Sequence, residues 1–257
     1  MSFLTVQWWS KVLGKQTEAR VLFPDSGKPP FPVLYLLHGL SDDSSMWHRM
    51  TRLESHAAGY PLLIVMPDGY RGFYTDNEEG PAYARHIGEE LPALIERMFP
   101  VRAQRDGRAI GGLSMGGYGA LRVGLGHAAR FCSIHSHSGA VGWGQNGRPA
   151  RTASISGQEE GFADELLRIF GKKPEGTAHH LLTLAKSAKK AGRLPKISLD
   201  CGTDDFLLAD NRAFSADLRT AKIPHSYTEF SGGHTWDYWD EHIREALKFH
   251  AVNLGVI

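Results

Sequence analysis

Apolar positions in this chain come in short dense runs separated by longer stretches of mixed polarity. "FPVLYLLHG" (31–39) and "PLLIVMPDG" (61–69) are almost continuously apolar and end in glycine-containing turns. Runs of that density predict strands buried on both faces of a parallel sheet. "RAIGG" (108–112), "FCSIHSHSG" (131–139), "KISLDCG" (196–202) and "HSYTEFSGG" (225–233) predict further strands. Between them, helical spacing predicts helices near 44–58, 83–98, 115–127, 207–221 and 238–250. In the last, Trp239, Ile243, Ala246 and Leu247 share one helical face. The N-terminal "LTVQWWSKVLGKQTEARVLFP" predicts a hairpin turning near Gly14.

Strand–helix alternation over most of the chain predicts a doubly wound α/β sheet, mostly parallel, with helices on both faces. The stretch from about 140 to 195 breaks the alternation. It holds the Gly-, Arg- and Ser-rich "GWGQNGRPARTASISG" and two short helical patterns, at about 159–170 and 178–191. We expect an insertion within a single domain spanning 1–257, lying over the sheet's edge and shaping or covering the active site.

Composition narrows the function. The chain has 257 residues and a formal net charge of +1, without a long block of like charges. Neither nucleic acid nor an anionic membrane is an expected partner; the basic "KSAKKAGR" (186–193) reads as a solvated helix end. No apolar run approaches the ~20 residues that span a bilayer. The opening "MSFLTVQWWSKVLGK" has neither the basic start nor the apolar core of a secretion signal. Cys132 and Cys201 both lie in apolar runs and read as buried free thiols. A soluble, cytoplasmic protein is expected, and a homo-oligomer is compatible with all of this.

The chemistry enters at "GGLSMGGYGAL" (111–121), where Gly112-Leu113-Ser114-Met115-Gly116 fits G-x-S-x-G between a strand and a helix. A sharp turn there would present the Ser114 hydroxyl above the strand ends, with glycines where side chains would collide. The Met115 N–H, at the helix start, could stabilise a negative oxygen. A serine nucleophile needs a base, and the base an orienting acid. His234, in the loop of "FSGGHTWDYW" (230–239), is the candidate base. "LDCGTDDFL" (199–207) offers acids: Asp205 is favoured, Asp204 reads as a solvated or capping neighbour, and Asp200 as part of the scaffold. The second oxyanion donor is expected from Leu40 in "LLHGLSDDSSMW" (36–47), with His38 buttressing that loop.

Other features carry weaker chemistry. His135 and His137 would share a strand face, but no third metal ligand is evident, and no metal is expected. Tyr74, in the long loop "DGYRGFYTDNEEG" (68–80), and Trp236, beside His234, are candidate substrate-binding residues. For Tyr74, packing of the loop is the competing reading.

Taken in order, "LLHGLSDDSSMW", "VMPDGYRGFYTD", "GLSMGGYGAL", "CGTDDFL" and "GGHTWDYW" resemble the esterase D and S-formylglutathione hydrolase-like serine esterases. That group includes feruloyl and short-chain acetyl esterases and the mycolyltransferases. The resemblance covers roughly residues 10 to 250. It implies an α/β-hydrolase fold and cofactor-free hydrolysis of small esters. It places the nucleophile on Ser114, the acid on Asp205, the base on His234 and the oxyanion donors on Leu40 and Met115. One departure bears on substrate: the oxyanion loop reads His38-Gly39-Leu40-Ser41-Asp42, without the cysteine usual in S-formylglutathione hydrolases. The expectation is a serine carboxylesterase for short-chain or aromatic acyl esters. Its rivals are an S-formylglutathione hydrolase, an acyltransferase and a non-catalytic binding module of the same fold.

Overall fold

The computed structural model describes residues 1–142 and 161–257. Its centre is an eight-stranded sheet in the order β1-β2-β4-β3-β5-β6-β7-β8. The strands are β1 (Ser2–Ser10), β2 (Lys15–Phe23), β3 (Val33–Leu37), β4 (Leu63–Pro67), β5 (Arg108–Leu113), β6 (Ser133–His137), β7 (Lys196–Gly202) and β8 (Ser226–Phe230). β1 and β2 form the expected hairpin, and β2 joins β4 antiparallel. From β4 to β8 every pairing is parallel. β3 to β6 are buried along their whole length, which is why their sequences read as continuous apolar runs.

Helices cover both faces. They are α1 (Met46–Met50), α2 (Leu53–Ala57), α3 (Tyr83–Arg85), α4 (Leu91–Met98), α5 (Met115–Gly126), α6 (Phe162–Phe170), α7 (Leu181–Lys190), α8 (Leu208–Thr220) and α9 (Trp236–Asn253). Strand alternation sorts the core into two halves. Val33, Tyr35 and Leu37 of β3 face the half that holds α4, α5, α7 and α8. Leu34 and Leu36 face the other half, with Trp47, Leu53 and the α9 residues Trp239, Ile243 and Leu247.

Two expected helices are broken. The helix expected at 44–58 is split into α1 and α2, with Thr51 extended between them and its hydroxyl accepting the Leu53 N–H at 3.2 Å. The helix expected at 83–98 contains a π-helical turn, His86–Glu90. There Glu90 turns to accept the N–H groups of Lys11 (2.7 Å) and Val12 (3.3 Å) at the hairpin tip.

The expected insertion contributes two helices. Its Gly-, Arg- and Ser-rich part lies outside the described residues, apart from Gly142. Its two helical patterns form α6 and α7. α7 packs on α5, and Leu166, Ile169 and Phe170 of α6 enter the core. Phe170 meets Phe73 and Tyr118 edge-on, at ring distances of 5.2 and 5.6 Å. The loops that follow β3, β4, β5, β7 and β8 thus meet at one end of the sheet, where open α/β sheets bind their ligands.

Candidate active site

Ser114 sits between the end of β5 and the start of α5 with φ 51° and ψ −116°. A serine at positive φ is strained, typically by 1–3 kcal/mol. The surroundings hold it there. Its N–H donates to His137 O at 2.9 Å, and its carbonyl accepts from Tyr118 N (3.1 Å) and Ala140 N (3.0 Å). The turn is also tight enough to demand glycine on either side. A Cβ on Gly112 would come within 2.5 Å of the Gly116 carbonyl oxygen, and one on Gly116 within 2.5 Å of the carbonyls of Leu37 and His38.

Asp205 and His234 arrive from the loops after β7 and β8. His234 Nε2 lies 2.9 Å from Ser114 Oγ, and its Nδ1 lies 2.9 Å from Asp205 Oδ2. An ionised carboxylate only accepts, so Nδ1–H donates to Asp205, and the Nε2 lone pair is left for the serine hydroxyl. Asp205 Oδ1 is occupied by the Leu207 N–H at 2.8 Å. Burial pushes the Asp205 carboxyl upward, but the hydrogen bond and charge of His234 and the Leu207 N–H outweigh it and hold the group below its ordinary value. Asp205 is fully covered, whereas the His234 side chain keeps 18% exposure. Thr235 then caps α9, its side chain accepting the Tyr238 N–H, so the loop carrying His234 ends in a fixed helix start.

The loop after β3 lies against the serine: a Cβ on Gly39 would be 3.8 Å from Ser114 Cβ. Its Gly39–Leu40 peptide is held by the carbonyl. Gly39 O accepts from His38 Nδ1 at 2.7 Å and from Asp42 N at 3.3 Å. His38 Nε2 in turn accepts the Gly69 N–H at 2.9 Å, which leaves the ring proton on Nδ1. In a trans peptide the N–H points opposite the C=O, so pinning the Gly39 oxygen fixes the direction of the Leu40 N–H. Among the described residues no protein acceptor takes the Leu40 or the Met115 N–H. The buttress expected of His38 is present in this form.

Of the two expected substrate-binding residues, Tyr74 needs correction. It is fully buried, its ring packed against Gly69 and Gly119 and its hydroxyl donating to His38 O at 3.1 Å. It braces the loop after β3 from beneath and has no surface to offer a ligand. Trp236 is half-buried and edge-on to Trp47 and Trp239, at 5.6 and 5.2 Å. The sequence reading missed a residue beside the base candidate: the Phe206 ring lies 4.5 Å from the His234 ring and is 51% exposed. An aromatic directly after the acid pair, in a polar loop, was the available signal.

Asp200 lies in the scaffold, as expected, but its meeting with the histidine pair was missed. His135 and His137 meet it: His135 Nε2 donates to Oδ2 at 2.7 Å, and Tyr238 Oη donates to Oδ1 at 2.8 Å. His137 Nδ1 is 2.8 Å from Oδ2 but off the hydrogen-bond axis. The third group that the histidine pair lacked in the sequence is therefore present, with the three donor atoms within 4.8 Å of one another. An ion there would have to displace the hydrogen bonds already on Asp200, in a site where all three residues are buried.

With this geometry in place, the comparisons with known proteins decide the family. A model of the Esterase family matches residues 10–250. An acetyl esterase of Caldicellulosiruptor saccharolyticus is 33% identical, over 97% of this chain and 98% of its own length. The chain belongs to the Esterase family. Two solved structures from Staphylococcus aureus are each 26% identical and cover 97% of this chain and 98% of their own. One is the fluorophosphonate-binding serine hydrolase FphF (TM-score 0.84), the other the S-formylglutathione hydrolase FrmB (TM-score 0.83). This esterase thus has an α/β-hydrolase fold and hydrolyses carboxylic esters as a serine enzyme.

Proposed function

We propose that Ser114, His234 and Asp205 carry out this hydrolysis through an acyl-enzyme, with the Leu40 and Met115 N–H groups as the oxyanion hole. The observation that carries the reading is the unbroken hydrogen-bond chain Ser114–His234–Asp205 at 2.9 Å per link. His234 takes the Ser114 proton as Oγ attacks the ester carbonyl. The two N–H groups receive the negative oxygen. His234 then returns the proton to the departing alcohol, and water releases the acyl group by the same path. General-base catalysis and each oxyanion donor contribute on the order of 10²-fold or more.

The substrate reading is a small ester with a short-chain or aromatic acyl group, the exposed Phe206 ring supplying an aromatic wall beside His234. The S. aureus S-formylglutathione hydrolase neighbour supports a thioester reading equally; the absence of a cysteine from 38–42 favours the ester. The insertion, whose α6 packs against the loop after β4, is read as part of the wall of the site within a single domain. Among the described residues no helix is long and apolar enough to cross a membrane. Cys132 and Cys201, both free and buried, support a reducing, cytoplasmic setting.

The test compares wild type and Ser114→Ala on p-nitrophenyl acetate, p-nitrophenyl butyrate, methyl ferulate and S-formylglutathione. Wild type should turn over the oxygen esters fastest, and Ser114→Ala should abolish all activity. Equal rates in the two proteins would remove the assignment, and a strong preference for the thioester would select the other substrate class.

A further inference from the structure

Arg71, on the loop after β4, joins the insertion to the oxyanion loop. Its Nε donates to Glu165 Oε1 at 2.8 Å and its Nη2 to Glu165 Oε2 at 2.6 Å, a two-point grip on a carboxylate of α6. Its Nη1 donates to the Ser41 hydroxyl. The guanidinium also lies over the Phe162 ring, 5.6 Å from its centroid. Both members of the ion pair are about three-quarters covered, with 23% and 24% exposure. A planar guanidinium bound at two points is fixed in orientation as well as position, which a lysine cannot reproduce.

Each end of this strut has an independent anchor. At one end, α6 is tied to the core by Leu166, Ile169 and Phe170. It is tied to the loop after β4 by backbone bonds, Glu78 N to Ile169 O (3.1 Å) and Glu79 N to Arg168 O (2.8 Å). At the other end, Ser41 follows Leu40 and holds a φ of 66°, a conformation that L side chains rarely adopt. Such a residue relaxes unless its surroundings over-determine it. The carbonyl side of the Leu40 turn is pinned by His38 and Asp42, as described above. The following residue is pinned by Arg71.

We infer that Arg71 is a positioning residue, which holds Ser41 in its strained conformation and so aims the Leu40 N–H, with Glu165 of the insertion fixing the guanidinium. The inference rests on the proposed oxyanion role of Leu40. It makes the insertion a contributor to transition-state stabilisation as well as a wall of the site.

The experiment measures kcat and KM for p-nitrophenyl acetate in Arg71→Gln, Arg71→Lys, Glu165→Gln and Ser41→Ala. It adds the affinity of each for a trifluoromethyl ketone, which forms a tetrahedral oxyanion on the serine, and a thermal melt. Losing a whole oxyanion donor costs about 10²- to 10³-fold; misaiming one in Arg71→Gln should lower kcat about 10-fold with KM little changed. Ketone affinity should fall by the same factor. Arg71→Lys should recover only part of the loss, and Glu165→Gln should lose less than Arg71→Gln. Ser41→Ala tests the far end of the strut without touching the ion pair, and should lower kcat and ketone affinity together. A lowered melting temperature with kcat and ketone affinity unchanged would overturn the inference. So would a raised KM at unchanged kcat, which would make Arg71 a substrate contact. If instead wild type forms no ketone adduct, or Ser114→Ala retains activity, it is the serine-esterase reading that fails.

Discussion

Two histidine–aspartate pairs take their acids from β7 and from the loop that follows it, and they differ in what the second ring nitrogen meets. In the first, His234 binds Asp205 through Nδ1, and its Nε2 reaches Ser114 Oγ. In the second, His135 binds Asp200 through Nε2, and its Nδ1 is buried without a partner. The His234 side chain keeps 18% exposure, against 4% and 0% for His135 and His137. A histidine–carboxylate pair is therefore not a base in itself. On the proposed mechanism it becomes one where the free nitrogen meets a hydroxyl that substrate can reach. The enclosed pair joins strands: it connects β6 to β7, whose following loop carries Asp205, and, through Tyr238, to α9, which the His234 loop precedes.

The largest effects should separate the two pairs completely. Ser114→Ala or His234→Ala should lower kcat by roughly 10⁴- to 10⁶-fold with little change in the thermal melt. Asp205→Asn should lower it by about 10⁴-fold, because His234 then has no fixed tautomer. Asp200→Asn should do the opposite, keeping most of kcat in the folded protein while losing stability. Breaking a buried pair costs about 3–5 kcal/mol, which for a chain of this size is a melting temperature lower by about 6–20 °C. If Asp200→Asn abolished turnover in a protein that melted normally, the division of labour would be wrong.

Acid should act first on the enclosed pair. Burial, reinforced by the neighbouring His137, holds His135 below its ordinary value, and burial does the same to His250. For Asp200 burial acts in the opposite direction, but the closely placed His137 and the hydrogen bond from His135 outweigh it and hold the carboxyl well below the usual range. The unfolded chain, with histidines near 6.5 and carboxylates near 4, therefore binds more protons than the folded one as the pH falls. Stability present at neutral pH should begin to drop below about pH 6.5 and fall further through the carboxylate range. Urea denaturation at pH 8, 6 and 4.5 reads this directly, and a flat profile would contradict it. The smallest effect concerns the rim of the open pair. Phe206→Ala should raise KM for an aromatic acyl ester by about 2- to 10-fold while leaving acetate esters nearly unchanged, the worth of one aromatic contact.

The two pairs also differ in how far the sequence revealed them. The turn at Ser114 was legible because a strained turn needs glycines at fixed offsets, and the hydrogen-bonded meeting of Asp205 and His234 with it because each follows a strand run in the order the motif expects. The Asp200 cluster was not. Period-two alternation puts His135 and His137 on one face, but it is the β6–β7 register that sets His137 opposite Asp200, and register between parallel strands leaves no local trace. Tyr74 failed for a related reason. Its loop is polar, yet Gly69 and Gly119, one of them far away in the chain, leave room for the ring beneath the surface. The Arg71–Glu165 strut likewise joins residues 94 apart. The strands were predicted closely because burial on both faces writes itself into composition. The helices at 44–58 and 83–98 were predicted whole because their breaks are made by contacts from elsewhere: Asp240 Oδ1 accepts the Arg52 N–H at 2.7 Å, and Glu90 reaches the hairpin tip.

The central claim is that Ser114, activated by the open pair, carries the acyl group. Acid-quenching the enzyme during turnover of p-nitrophenyl butyrate, then mapping the modified peptide by mass spectrometry, tests it most directly. The account predicts one butyryl group per chain on Ser114, absent in Ser114→Ala. A butyryl group on any other residue, or turnover by Ser114→Ala at the wild-type rate, would contradict it.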